Sequence, residues 1–244
     1  MDQQTRQALK QDKFVNTTTH GLEWASENRQ RVIAIGSIVL SVILVAVASV
    51  VVYNTRSEAA SVAFGAAMQV YESPLTTPGE PVPAGAKTYT TAADRAKAAG
   101  ALFQGVADKY GLTPDGGNAL YFAGLTEIEA GENQQAEDTL KKVGGGWNKN
   151  LAALAKLALA GLYQNTGRDA QAIDLYNQLS AKPTDTVPFG LARLQLADLY
   201  ASEGKTDEAR KVYADLEDKD SKGPAGAMAK EKLNPTPAGA AGEQ

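Results

Sequence analysis

Cysteine is missing from this 244-residue chain and histidine occurs once, as His20. The first absence excludes disulfide frameworks, thiolate metal sites and thiol nucleophiles, and the second leaves no multi-histidine metal centre. Positive charge is not in excess either. The 24 Lys and Arg face 28 Asp and Glu, a net charge of −4 that argues against a nucleic-acid partner. Aromatic residues make up only 7 %, yet 43 % of the chain is hydrophobic and 21 % charged, so one or two folded domains are expected rather than a disordered chain.

The hydrophobic residues are unevenly spread. Between Arg31 and Arg56 no acid or base occurs, and residues 32–53 form a run of 22 mostly aliphatic residues. At 1.5 Å rise per residue the run reaches about 33 Å against a hydrocarbon core of about 30 Å, the length of a single transmembrane helix. Arg6, Lys10, Lys13, Arg29 and Arg31 precede it, while only Arg56 lies among the twenty residues after it. The positive-inside rule therefore places residues 1–31 in the cytoplasm as a short tail and everything after the span on the far side.

A second reading of the same run is a cleaved signal peptide, because Ala46-Val47-Ala48 before Ser49 has the small-x-small form of a cleavage site. Against it, the apolar run continues through Val50, Val51, Val52 and Tyr53, and the leading segment contains Asp2, Asp12, Glu23 and Glu27. Ser37 and Ser41 make a small-xxx-small spacing that would let two such helices approach. In the tail, Phe14, Thr18, Leu22 and Ala25 fall on one helical face with Trp24 near headgroup level, as in a helix lying at the interface or an unstructured leader. Asn16-Thr17-Thr18 has the glycosylation pattern but falls on the cytoplasmic side.

From Ser57 onward the composition is helical, with no alternating strand pattern, so the fold class is all-α. Residues 73–89, with four prolines, read as a long loop, and residues 234–244, with Pro235 and Pro237, as a disordered tail. Residues 54–233 otherwise form one helical domain. Three windows within it superimpose on Gly131, Gly167 and Gly204, spaced 36 and 37 residues apart. Five residues after each glycine comes Ala136, Ala172 or Ala209, followed by Leu140, Tyr176 or Tyr213 and then Val143, Leu179 or Leu216. A glycine that leaves one helix in a left-handed conformation, then an alanine that permits close packing, describes a helical hairpin, and three such windows describe a stack.

The pattern L-A-x-x-Y-x-x-x-G…A-x-x-x-Y in the second and third windows resembles the tetratricopeptide repeat (TPR). The first window departs from it, with Glu127 where the family places an aromatic, and both intervals exceed the usual period of about 34 residues. Residues 57–71 and 91–110 look like one more, degenerate hairpin split by the Pro-rich insertion, and residues 225–233 like a closing helix. The layout as a whole, a cytoplasmic tail, one membrane helix and an α-solenoid of three to four hairpins, is similar to a narrower bacterial family. That family is the inner-membrane ancillary subunit of the Sec translocon, which shares its domain with a periplasmic coordinator of cell division. The resemblance implies a periplasmic domain in contact with translocon subunits, periplasmic chaperones and exported proteins.

Catalysis finds little support in the residues. His20 lies in the tail, and the helical domain has no histidine. Gly144-Gly145-Gly146 lacks the Gly-Lys-Ser/Thr sequel of a phosphate loop, and Glu217-Asp218-Lys219-Asp220 lacks the spacing of a calcium loop. No pair of carboxylates stands out as an acid and base. No enzyme activity, cofactor, metal or small-molecule substrate is therefore expected. After the span the chain carries 19 basic and 24 acidic residues, which repels nucleic acid.

Partners of a TPR-like solenoid dock chiefly on the concave face lined by the first helix of each hairpin. The family's inward positions fall on Asn118, Tyr121, Leu125 and Ile128 in the first window, on Leu154, Leu157, Gly161 and Gln164 in the second, and on Leu191, Leu194, Asp198 and Ala201 in the third. That face is apolar and lacks the Lys and Arg of a carboxylate clamp. Two accounts stay open for it: a docking face for exported chains or a partner helix, or an internal seam, since residues 151–163 are apolar around nearly their whole circumference. An alternative to client docking is a structural adaptor that organises envelope or division complexes.

Overall fold

The computed structural model describes residues 27–76 and 88–235. Among these residues the secondary structure is nine α-helices with no strand: α1 Arg29–Tyr71, α2 Ala92–Tyr110, α3 Pro114–Glu129, α4 Asn133–Gly144, α5 Lys149–Asn165, α6 Asp169–Ala181, α7 Phe189–Ser202, α8 Thr206–Lys219 and α9 Pro224–Leu233. The cytoplasmic tail with its interfacial-helix, glycosylation and His20 assignments, the interior of the Pro-rich loop and most of the C-terminal tail lie outside the described residues.

The chain divides into two units, residues 1–55 and 56–244. In the first, the apolar run is helical from end to end and its large side chains, from Val32 to Tyr53, are exposed. This helix is long and apolar enough to cross a membrane, by length and composition. Its serines do not leave hydroxyls stranded. Ser37 donates to the Ala34 carbonyl at 2.9 Å, Ser41 to Ser37 at 2.8 Å and Ser49 to Val45 at 2.7 Å, which satisfies each polar group within its own helix. The helix does not stop at Tyr53, the end expected for the span, but runs on without a break to Tyr71. No proline lies in that interval to end it.

In the second unit each helix from α2 onward packs on the next in sequence, with added contacts of α3 with α5 and α7 with α9, the nearest-neighbour pattern of stacked hairpins. The turns explain why. Among the described residues, Gly131, Gly167 and Gly204 are the three with positive φ, at 81°, 71° and 75°. After each, the next residue donates back to the carbonyl five positions earlier: Glu132 to Glu127 (2.8 Å), Arg168 to Tyr163 (2.8 Å) and Lys205 to Tyr200 (2.9 Å). These are Schellman turns, which absorb the orphan carbonyls at a helix end and aim the chain back along itself. Two of the helices that open hairpins, α3 and α5, are capped by side chains, with Thr113 accepting from Gly116 N at 3.1 Å and Asn148 from Leu151 N at 3.2 Å, whereas α7 starts after Pro188 without a side-chain cap.

Ala136, Ala172 and Ala209 are buried, with Leu140, Tyr176, Tyr213, Val143, Leu179 and Leu216 buried behind them. The degenerate first hairpin holds by aromatics. Phe64 of α1 lies 5.5 Å from Phe103 of α2 and 5.6 Å from Phe122 of α3, and Tyr71 closes the cluster 6.2 and 6.0 Å from the same two rings. Its second helix packs closely against α3, so closely that a Cβ at Gly100 would stand 2.8 Å from the Thr126 hydroxyl. The two ends of the Pro-rich insertion are pinned together, Thr76 N to Tyr89 O at 2.8 Å and Tyr89 N to Pro74 O at 3.3 Å, so the insertion leaves and re-enters at one point.

Candidate protein-binding surface

The residues expected on the docking face are carried by α3, α5 and α7, but they are not equally free. Asn118, Tyr121, Leu125, Ile128, Leu157, Leu191 and Asp198 are half-buried, and Leu194 is buried. Tyr121, Ile128 and Leu157 lean on the main core, and Leu154, Leu157 and Leu191 on a smaller cluster around Leu179 and Val187. Gln164 and Asp198 have partners inside the protein. Tyr176 of α6 donates its hydroxyl to Gln164 Oε1 at 3.3 Å, and Tyr213 of α8 donates to Asp198. Burial, reinforced by the Asp198 carboxylate, holds the Tyr213 phenol protonated far above its usual range. Lys232 of α9 reaches Asp198 at 3.6 Å, so the last helix closes over this part of the face.

What stays open is a cleft of about 430 Å³ at the C-terminal end, between the start of α7, the α8–α9 turn and α9. Leu191 and Leu194 line it with Pro188, Phe189, Pro224, Ala225 and Met228, and Lys219 and Asp220 stand at its rim. It is mostly apolar, and Met228 is 49 % exposed. A flexible thioether beside an aromatic ring and two leucines adapts to differently shaped apolar side chains. The cleft owes its shape to Gly190, where a Cβ would come within 2.7 Å of Ala225 and 2.9 Å of the Asp220 carboxylate, so only glycine lets α9 pack this closely. Phe189 and Met228 were not among the expected residues, because the carried-over positions cover first helices and neither the helix start nor the closing helix.

Two polar groups are more strongly perturbed than most residues of the expected face. Glu137 of α4 accepts from Lys141 at 2.6 Å, from Tyr163 Oη at 3.0 Å and from Arg168, whose guanidinium stacks 4.4 Å above the Tyr163 ring. Those donors, Lys141 foremost, hold its carboxyl down at about 2. The cluster ties the second helix of one hairpin to the turn of the next and is structural. Glu127 of α3 is the opposite case, raised above the ordinary carboxylate range chiefly by burial. Among the described residues no three His, Asp or Glu side chains gather as a metal-binding group.

These hairpins, their glycine turns and their tyrosine-to-first-helix bonds define a class of stacked helical repeats, and the class has a family. The chain belongs to the tetratricopeptide repeat-like domain family, whose family model matches residues 23–234. Among solved structures it is similar to nearly identical TPR-like repeats of a putative kinesin light chain from Podosopora anserina, at 19 % identity and a TM-score of 0.47, over 57 % of this chain and 76 % of that one. A second crystal structure, of a point variant of the same protein, aligns equally. No curated protein matches the chain.

Proposed function

We propose that this protein is a membrane-tethered docking protein, in which residues 32–53 cross a bacterial inner membrane once and present the helical domain to polypeptides in the periplasm. Its partners are translocon subunits, periplasmic chaperones or newly exported chains, and its role is binding rather than catalysis. The observation that carries the reading is the mostly apolar cleft lined by Leu191, Leu194, Phe189 and Met228, in which Met228 is exposed and Leu191 and Phe189 are half-buried. A fully exposed side chain of this size gains about 1.5 to 3 kcal/mol on full burial, so a partner that fills the cleft gains a part of that at Met228, Leu191 and Phe189. Family membership supports protein partners in general, the charge bias around the span supports the orientation, and the resemblance to the ancillary subunit supports the site of action beside the Sec translocon.

A photo-crosslinking amino acid placed at Leu191 or Met228 in intact cells tests this. The expected products are adducts with translocon subunits, periplasmic chaperones or exported proteins at both positions, and none from exposed Glu208 on α8. Absence of such adducts at the cleft, or equal yields at Glu208, overturns the reading.

A further inference from the structure

One position breaks the repeat in sequence and in structure at once. Glu127, Tyr163 and Tyr200 accept the equivalent Schellman hydrogen bond, so they occupy the same place in their hairpins. In the second hairpin the tyrosine ring is covered by the cation that follows its glycine, Arg168 at 4.4 Å from the ring, and in the third by Lys205 at 5.9 Å. In the first hairpin both members are exchanged for acids: Glu127 replaces the aromatic and Glu132 replaces the cation.

Glu127 is only 7 % exposed, and its Oε2 atom is buried with no hydrogen-bond partner. It lines a cavity of about 310 Å³ between α2, α3 and the start of α4, together with Ala96, Gly100, Gln104, Thr126, Glu132 and Gln135. This is at the small end of ligand pockets. A cation, Lys97, also lines the cavity, but it spans 3.7 Å to Glu132 with most of its side chain in solvent. Burial pushes the Glu127 carboxyl up, eased by Gln135 and Thr139, and the Glu132 and Asp138 carboxylates push it further. A buried acceptor without a donor is costly, and a bound cation would relieve that cost and the repulsion between the two acids together.

We propose that this cavity receives the cationic side chain of an arginine or lysine on a docked polypeptide, with Glu127, which lines it, as its principal acceptor and Glu132 beside it. The flat, small-residue wall of Ala96, Gly100 and Thr126 accommodates the aliphatic stem, and Gln104 and Gln135 offer further acceptors for the spare N–H groups. The proposal rests on the reading that polypeptides dock on this domain and adds the charge they must carry. It concerns a different place from the apolar cleft, so a partner that uses both carries a basic residue and an apolar segment.

The test titrates the full-length protein in non-ionic detergent with three acetylated, amidated pentapeptides, AARAA, AAKAA and AAQAA, by calorimetry. The arginine and lysine peptides should bind at least about tenfold more tightly than the glutamine peptide. The isosteric Glu127→Gln change should remove that preference, while Glu58→Gln, an equal loss of charge at an exposed site, should leave it within about twofold. Glu127→Tyr, which restores the repeat residue, should also remove it while keeping the fold by circular dichroism. Equal binding of all three peptides, or a preference that survives both Glu127 changes, overturns the proposal. Persistence of crosslinks at Met228 in that event would leave the docking reading standing and this one alone refuted.

Discussion

Valine, isoleucine and leucine crowd two parts of this protein in opposite ways. Between Val32 and Tyr53 they follow one another almost without interruption and stand exposed, Val45 at 67 %, whereas in the hairpins they recur every third or fourth residue and are buried, Leu162 at 2 %. On the proposed reading, in which the apolar run crosses a membrane, the same side chains obey two patterns because they answer to two solvents. A helix that meets hydrocarbon on all sides has no reason to alternate, and a helix wedged between neighbours and water does. Polar groups follow the same division: serines bond back within the first helix, while tyrosines, glutamates and arginines bond across helices in the hairpins.

Changes that exchange the two solvents should break this contrast most severely. Val42→Arg with Leu44→Arg puts two charges at the middle of the apolar run, each costing about 2.5 to 3.5 kcal/mol at a bilayer centre. The double variant should lose its resistance to alkaline extraction from membranes, and retention in the pellet would show that the run is not embedded. Leu162→Ala removes a fully buried side chain from the main core, and about 2 to 5 kcal/mol of domain stability should go with it in urea unfolding. Leu44→Ala, the same deletion in the exposed run, should leave the domain's midpoint unchanged.

A smaller effect belongs to the Glu137 cluster. Its carboxyl lies at about 2 in the fold against about 4.3 in an unfolded chain. Its contribution is therefore complete above about pH 4.3 and is lost as pH falls towards 2. Lys141 is half in solvent and screened, so about 1 to 2 kcal/mol is expected. The stability difference between wild type and Glu137→Gln should shrink over that window, and a difference that stays constant with pH would refute the pairing. Smallest is Gly167→Ala. Its Cβ would meet nothing within 4 Å, so the cost is the left-handed backbone alone, about 1 kcal/mol. No measurable change at Gly167 would mean that the turn can relax to negative φ.

Much of this was legible in the sequence, for reasons the structure makes plain. Gly131, Gly167 and Gly204 were readable because a positive φ leaves few other choices, and the buried alanines because close helix packing does the same. The apolar run was readable from length. Less legible was anything that depends on pairing across hairpins. Glu137 and Arg168 are 31 residues apart with no periodic relation, and both look like solvated charges in a linear reading. Glu127 was visible as a departure from the repeat, but not its burial, which depends on Gly100 letting α2 approach Thr126. Gln164 and Asp198 were placed on the docking face by carry-over, and the structure gives each a tyrosine partner from its own hairpin. The open cleft drew on Phe189 and Met228, which no repeat position marks.

Because the chain has no cysteine, a single introduced one reports on its own surroundings without background. Labelling of Val42→Cys and Met228→Cys by a membrane-impermeant maleimide in sealed, right-side-out vesicles measures both solvents in one experiment. Met228→Cys should react at once, and Val42→Cys should react only after detergent is added. Ready labelling of Val42→Cys, or protection of Met228→Cys until the membrane is opened, would contradict a tethered domain that offers its cleft on the outer side.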